Sequence, residues 1–317
     1  DQKEAWEAMA AANREAAETF TRPYGEDPFT TAAERRIEEL FETDCDVFFV
    51  FNGSAANCLA LASISRSYHG ILCHPSSHTE LDEANGPEFF TGGAKLISVD
   101  GPDGKIDPSN IRPLLERGEG IHSAKINGLS IAQPTEVGTV YTPAELARIT
   151  SVRSEFPEGG LKFHMDGARF ANALVASEGR TPKEITWQAG IDVLSLGGTK
   201  NGGPATEAQV FFDKSLAREF DWRRKQGGQL ASKMRYLSAP WLGVLADGAW
   251  LKHARHANHC AASLGRQLEE IPGVRMAFAV ETNAVFADLP AGVAEELAVR
   301  GWQFYRTQSV CRFMCGW

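Results

Sequence analysis

The chain has 317 residues, 43% of them hydrophobic, with 32 basic residues against 41 acidic ones for a net charge of −9. That length suffices for a full core and for two domains, or for one large α/β domain with a smaller lobe, and the composition excludes a disordered chain. An acidic chain without a basic stripe argues against nucleic acid and anionic membranes as main partners, while leaving room for a local anion pocket.

Residues 1–19 (DQKEAWEAMAAANREAAET) predict an alanine-rich helix. FTRPYGEDPF is a loop broken by two prolines and a glycine, and TAAERRIEELFE predicts a helix with Thr30 or Thr31 as N-cap and Ile37, Leu40 and Phe41 on one face. A repeating rhythm follows. DVFFVFNG predicts a strand, SAANCLALASISRSY a helix beginning at Ser54, and GILCHP, KLISVD and KINGLSIAQ further strands. TPAELARITSVRSEF predicts a helix, then LKFHMDGAR, IDVLSLGG and QVFFD predict strands. Unbroken apolar strands separated by helices predict an α/β fold with a mostly parallel sheet covered on both faces. After about residue 240 the texture changes. WLGVLADGAWLKHARHANHCAASLGRQLEEI predicts one long helix, followed by strands VRMAFAV and AVFADL, helix AGVAEELAVRG and a last strand QSVCRFMCGW, together an α+β lobe. The expected organisation is an N-terminal helix to residue 20, a large domain over 21–240 and a small one over 241–317. The chain begins with Asp1 rather than Met and stops on a strand-like segment, so native sequence beyond both ends is expected.

Cys45, Cys58, Cys73, Cys260, Cys311 and Cys315 form no C-x-x-C and no cluster with zinc-site spacing. Most lie in apolar runs as small hydrophobes, which predicts reduced thiols and a cytoplasmic protein without a bound metal. No apolar run reaches membrane-spanning length, and no signal peptide is visible.

Ligands of open α/β sheets sit beyond the carboxyl ends of the strands, and four segments put polar residues there. FNGSAAN (51–57) ends a strand and opens a helix, which is either an ordinary capped helix or a phosphate seat of free N–H groups and a hydroxyl. It is neither a Walker loop nor G-x-G-x-x-G. HPSSHTELDEAN (74–85) carries His78, either solvated or placed to stack on a planar ring and move protons. HMDGAR (164–169) ends a strand on Asp166, with Arg169 three residues on. Its carboxylate either caps a helix or holds a protonated ring nitrogen, making that ring an electron sink. SLGGTKNGG (195–203) places Lys200 in a glycine-rich turn one strand–helix–strand unit after Asp166. Lys200 is either a surface lysine or a Schiff-base former whose flanking glycines admit close backbone approach. Taken in order, these read as a phosphate seat, a ring-stacking histidine, a pyridine-binding aspartate and a Schiff-base lysine. That order matches pyridoxal 5′-phosphate.

With YGEDPFT, NGSAAN, the SSH loop, HMDGAR and LSLGGTKNGG, the chain resembles the low-specificity L-threonine aldolases, fold-type-I pyridoxal-phosphate enzymes, from about Tyr24 to its end. Within that family it is most similar to the bacterial branch that includes phenylserine aldolases. The resemblance implies a seven-stranded sheet with helices on both faces and a small α+β C-terminal domain. It implies that Lys200 binds the cofactor aldehyde, Asp166 pairs with the pyridine nitrogen and His78 stacks on the ring. Gly53, Ser54 and Ala55 would lie under the phosphate. Arg169 would lie near cofactor and substrate, Arg312 would bind the substrate carboxylate, and Tyr24 would reach a neighbouring subunit's site. A homodimer or homotetramer with shared sites is implied as well.

The chain also departs from the family. Where many members have T-H-N-G, it has AQPTEVGT, so Thr135 or Glu136 stands at that place. The phosphate arginine after G-G-G-M is missing, with Lys233, Arg235 or the run Arg223-Arg224-Lys225 as replacements, and no S-D-N or S-D-T segment occurs. The expected activity is retro-aldol cleavage of L-β-hydroxy-α-amino acids (L-threonine, L-allo-threonine, L-phenylserine) to glycine and an aldehyde, with His78 or a water it orders as base. The alternatives are transamination or β-elimination on the same fold, and a non-catalytic binding module.

Overall fold

The computed structural model describes residues 2–117, 120–155 and 160–316. Asp1, Phe156 and Trp317, each at the end of a predicted element, lie outside the described residues. Seven strands, β1 (Asp46–Val50), β2 (His69–Cys73), β3 (Lys95–Ser98), β4 (Lys125–Ala132), β5 (Lys162–Gly167), β6 (Val193–Gly197) and β7 (Glu207–Phe211), form one sheet in the order β1-β7-β6-β5-β4-β2-β3. The pairs β2–β3, β2–β4, β4–β5 and β5–β6 are parallel, whereas β7 runs antiparallel to both β1 and β6. The expected mostly parallel sheet is therefore present, with β7 as its reversed strand. Every residue of β2, β6 and β7 is buried, because helices cover both faces and leave no wet side for an alternating pattern.

The helices are α1 (Lys3–Glu18), α2 (Pro28–Phe41), α3 (Gly53–Ile64), the short α4 (His78–Leu81) and α5 (Gly86–Thr91), α6 (Ile111–Arg117), α7 (Pro143–Thr150), α8 (Phe170–Ala176), α9 (Phe220–Gln226), α10 (Arg235–Val244), α11 (Ala249–Glu269) and α12 (Val293–Val299). Helix α2 starts before the predicted Thr30 or Thr31 cap. Asp27 is the cap, its Oδ1 accepting the Thr30 N–H at 2.8 Å and its Oδ2 the Thr30 hydroxyl at 2.8 Å. Pro28, with its fixed φ and missing N–H, suits the first helical position and moves the start forward. Ile37 and Phe41 are fully buried from this helix. Likewise α3 begins at Gly53, one residue before Ser54, with Asn52 as its cap.

The long helix predicted after residue 240 is two helices. Asp247 (φ 49°) and Gly248 (φ 67°) adopt left-handed backbone between α10 and α11, which ends the first helix and redirects the chain. Helix α10 packs on α1 and α2. The approach to α1 is close: a Cβ on Gly243 would stand 2.0 Å from the Glu4 carbonyl oxygen. Helix α11 packs on α8 and on a second, antiparallel sheet of β8 (Arg275–Met276), β9 (Ala284–Asp288), β10 (Tyr305–Thr307) and β11 (Val310–Met314), ordered β10-β11-β9-β8. Strand β10 is absent from the sequence reading, since its three residues are all exposed and carry no apolar pattern. No helix among the described residues is long and apolar enough to cross a membrane.

Candidate active site

The carboxyl ends of β5 and β6 bring two turns together. Asp166 lies at the end of β5 and Lys200 in the 3-10 turn Thr199–Asn201 after β6. The glycines before Lys200 permit this contact. A Cβ on Gly197 would stand 2.3 Å from the Ala168 carbonyl oxygen, and one on Gly198 2.5 Å from that of Thr206. Gln2 holds the same turn from the other side, its amide Nε2 donating to the Asn201 carbonyl at 2.6 Å and its backbone N–H to Gly202 at 2.9 Å. Beneath the turn, the carboxyl of Glu207 accepts the Gly198 N–H at 2.7 Å. Burial pushes the Glu207 pKa up to about 7, against the pull of that N–H and of the Lys200 charge.

Asp166 is 7% exposed. Its Oδ1 accepts the Ala168 N–H at 2.9 Å, and its Oδ2 accepts the side-chain amide of Asn57 at 2.8 Å. The same Asn57 nitrogen donates to Oε1 of Glu83 at 3.2 Å, and that oxygen receives Nδ1 of His78 at 2.8 Å. A hydrogen-bonded chain thus links His78, half-buried at the start of α4, to Asp166. The hydrogen bond to Glu83 raises the His78 pKa above its ordinary value, with Asp166 and Glu136 adding smaller contributions.

Two residues before Asp166, on the same face of β5, lies His164, fully buried. Its ring bridges Ser130 Oγ at 2.8 Å and Ser195 Oγ at 2.9 Å, and Ser195 in turn donates to Gln209 Oε1 at 3.2 Å. This pattern assigns the proton to Nε2. Burial lowers the His164 pKa to about 4, so the ring is a neutral strut under Asp166.

Arg169 follows Asp166 at the start of α8, and Arg312 comes from β11 of the second sheet. Their charges act on one another: burial lowers the Arg169 pKa, and the like charge of Arg312 lowers it further. Among the described residues Arg169 has no side-chain hydrogen bond or ion pair. Arg312 reaches the Met314 sulfur at 3.2 Å and lies over the Phe286 ring, and among the described residues neither guanidinium has a carboxylate partner within salt-bridge distance. Of the two candidates in the TEVG segment, Thr135 is committed to its own turn, its hydroxyl 2.8 Å from that of Thr139. Glu136 is the one whose charge acts on His78 and Arg169.

At the amino end of α3, Asn52 Oδ1 accepts the Ala55 N–H at 2.8 Å, so Ala55 already has a partner. Among the described residues no acceptor takes the N–H of Gly53 or Ser54, and a Cβ on Gly53 would meet nothing within 4 Å. Gln229 lies beside this loop, its Oε1 accepting the Phe51 N–H at 2.9 Å. Arg224 is buried against the Phe48 ring and paired with Asp221 at 2.7 Å, and thus has a structural role. Tyr24 is exposed, with the Lys225 ammonium 4.9 Å from its ring centroid.

Sequence reasoning missed Asn57, Glu83, His164 and Glu207. A signal existed for two of them: Asn57 interrupts an otherwise apolar buried helix, and His164 shares the face of Asp166.

These residues fit pyridoxal phosphate: open N–H groups at a helix start, a buried carboxylate with lone pairs to spare, a histidine beside it and an accessible lysine at the sheet mouth. The model of the family described as beta-eliminating lyase matches residues 2–291. The chain is 50% identical to the low specificity L-threonine aldolase of a Pseudomonas species and 49% identical to that of Pseudomonas aeruginosa, in each case over 99% of this chain and 89% of the relative. The solved threonine aldolase of Leishmania major superposes with a TM-score of 0.88 at 28% identity, covering 98% of this chain and 90% of that one. The chain belongs to the beta-eliminating lyase family of fold-type-I pyridoxal-phosphate enzymes, among its low-specificity L-threonine aldolases.

Proposed function

We propose that the chain cleaves the Cα–Cβ bond of L-β-hydroxy-α-amino acids, L-threonine, L-allo-threonine and L-phenylserine among them, to glycine and an aldehyde. The observation that supports this reading is the pair of guanidiniums, Arg169 and Arg312, near enough for the charges of Arg312 and Asp166 to act on Arg169, and, among the described residues, without a carboxylate at salt-bridge distance. Two such groups are built to clamp an amino-acid carboxylate and so orient the bond to be broken. Lys200 holds the cofactor through its amine, and Gly53, Ser54 and Ala55 line the phosphate seat. Pyridoxal phosphate supplies an electron sink for the carbanion left at Cα. Asp166 supports that role by holding a proton at the ring nitrogen. His78, fixed through Nδ1 by Glu83, keeps Nε2 for exchanging the β-hydroxyl proton, directly or through a water.

Low specificity follows if the departing aldehyde makes no obligatory polar contact, since apolar pockets discriminate poorly. The reading extends to a homodimer or homotetramer in which the exposed Tyr24 reaches a neighbouring site. It also extends to a cofactor-binding domain up to about residue 240 with a small domain after it. Free thiols at all six cysteines support a cytoplasmic setting. The test is product analysis with purified holoenzyme and L-phenylserine or L-threonine. Benzaldehyde or acetaldehyde with equimolar glycine is expected. A keto acid in place of glycine would sink the aldol reading and favour elimination or transamination.

A further inference from the structure

We propose that a cleft at the amino-terminal edge of the large sheet is a second anion site, for a multiply charged phosphate. The cleft has a volume of about 430 Å³ and is lined by Ser65, Arg66, His69, Lys162, Arg218 and Arg223, with Glu219 as the one carboxylate among its lining residues. His69 and Lys162 are the first residues of β2 and β5, whereas Asp166 lies at the carboxyl end of β5 and Lys200 follows that of β6. The cleft and the cofactor site therefore lie at opposite ends of the strands.

Four cations around one cavity stand out in a chain of net charge −9. Lys162 is neutralised by Asp213 at 2.9 Å. Among the described residues, the side chains of Arg66, Arg218 and Arg223 make no hydrogen bond and no ion pair. Burial lowers the Arg223 pKa; the charge of Glu219 acts against that and the like charge of Arg66 adds to it, so an anion beside the two guanidiniums would offset both the burial and the Arg66 repulsion. Two deeply buried polar side chains add neutral donors. Ser65, 5% exposed, has an Oγ without any partner. His69, 8% exposed, accepts the Arg66 N–H on Nδ1 at 3.0 Å, which assigns its proton to Nε2, and among the described residues that N–H has no acceptor. The negative end of α3 points here, but the Asn127 amide donates to the Ile64 carbonyl at 2.5 Å and occupies it. Guanidiniums with hydroxyl and imidazole donors form a set suited to phosphate oxygens, and the volume admits more than a single phosphate.

The probe is inorganic pyrophosphate, titrated calorimetrically into holoenzyme at constant ionic strength. One saturable site per chain is expected. The double variant Arg66→Ala/Arg218→Ala weakens it by about tenfold or more while coenzyme absorbance is unchanged. If the double variant does not fold, the exposed Arg218→Glu is expected to weaken binding in its place. No saturable heat at millimolar pyrophosphate overturns the proposal, as does unchanged affinity in the folded variant. Loss of subunits from the variant in light scattering also overturns it, because the cleft would then be a contact between copies of the chain.

Discussion

The side-chain amide of Asn57 donates to Oδ2 of Asp166 at 2.8 Å, and the same nitrogen reaches Glu83 at 3.2 Å. One NH2 group therefore holds apart two buried carboxylates that would otherwise repel one another. Asn57→Ala leaves both short of a donor, which costs roughly 1–3 kcal/mol for a buried unsatisfied group. A lower denaturation midpoint is expected, with weaker coenzyme retention on gel filtration. A variant as stable as wild type would show that the bridge contributes nothing.

Lys200 is exposed at the mouth of the sheet, in a turn clamped by Gln2 and Glu207. Lys200→Ala is expected to abolish aldehyde release. Borohydride should fix coenzyme to the wild-type chain at Lys200 and leave the variant unlabelled. Label on the variant would move the cofactor-binding role to another lysine.

Glu83→Gln removes the main cause of the raised His78 pKa. The imidazole titration followed by NMR should fall toward the ordinary value of 6.5. A raised histidine pKa stabilises the fold below about pH 6.5, and that contribution is lost as pH rises through the folded value. Wild type and variant should accordingly differ most in stability on the acid side. An unmoved His78 titration would assign its pKa to Asp166 and Glu136 instead.

Glu207 has its folded pKa raised from 4.5 to about 7. The folded state then binds more protons than the unfolded one between those values, so this group lowers stability as pH rises, by roughly 3 kcal/mol in all. Glu207→Gln keeps an acceptor for the Gly198 N–H and loses the buried charge. Its midpoint relative to wild type should climb from pH 5 to pH 8. A constant difference would mean that Glu207 stays ionised throughout.

Arg312→Ala removes one of two unpartnered guanidiniums. Hydrogen bonds to charged groups contribute roughly 1.5–3 kcal/mol, so KM for the amino acid should rise about ten- to a hundredfold. Arg312→Lys should not restore it, because an ammonium lacks the bidentate fork. An unchanged KM would leave Arg312 as a surface charge of an inner strand, packed over the Phe286 ring.

The sequence by itself determined the seven strands of the large sheet and their order along the chain, because helices on both faces demand unbroken apolar runs, and such runs are local. It also pointed to Asp166, Arg169 and Lys200, since polar residues at strand ends and glycines before a lysine are local signals too. What only the tertiary structure decided is which of these groups meet. Arg312 lies more than a hundred residues from Arg169, and Asn57 as far from Asp166, so no periodicity connects them. The reversal of β7, the break at Asp247–Gly248 and the burial that raises Glu207 and lowers His164 share that origin. Each depends on what packs around a residue, and packing is set by contacts between segments that are far apart in the chain.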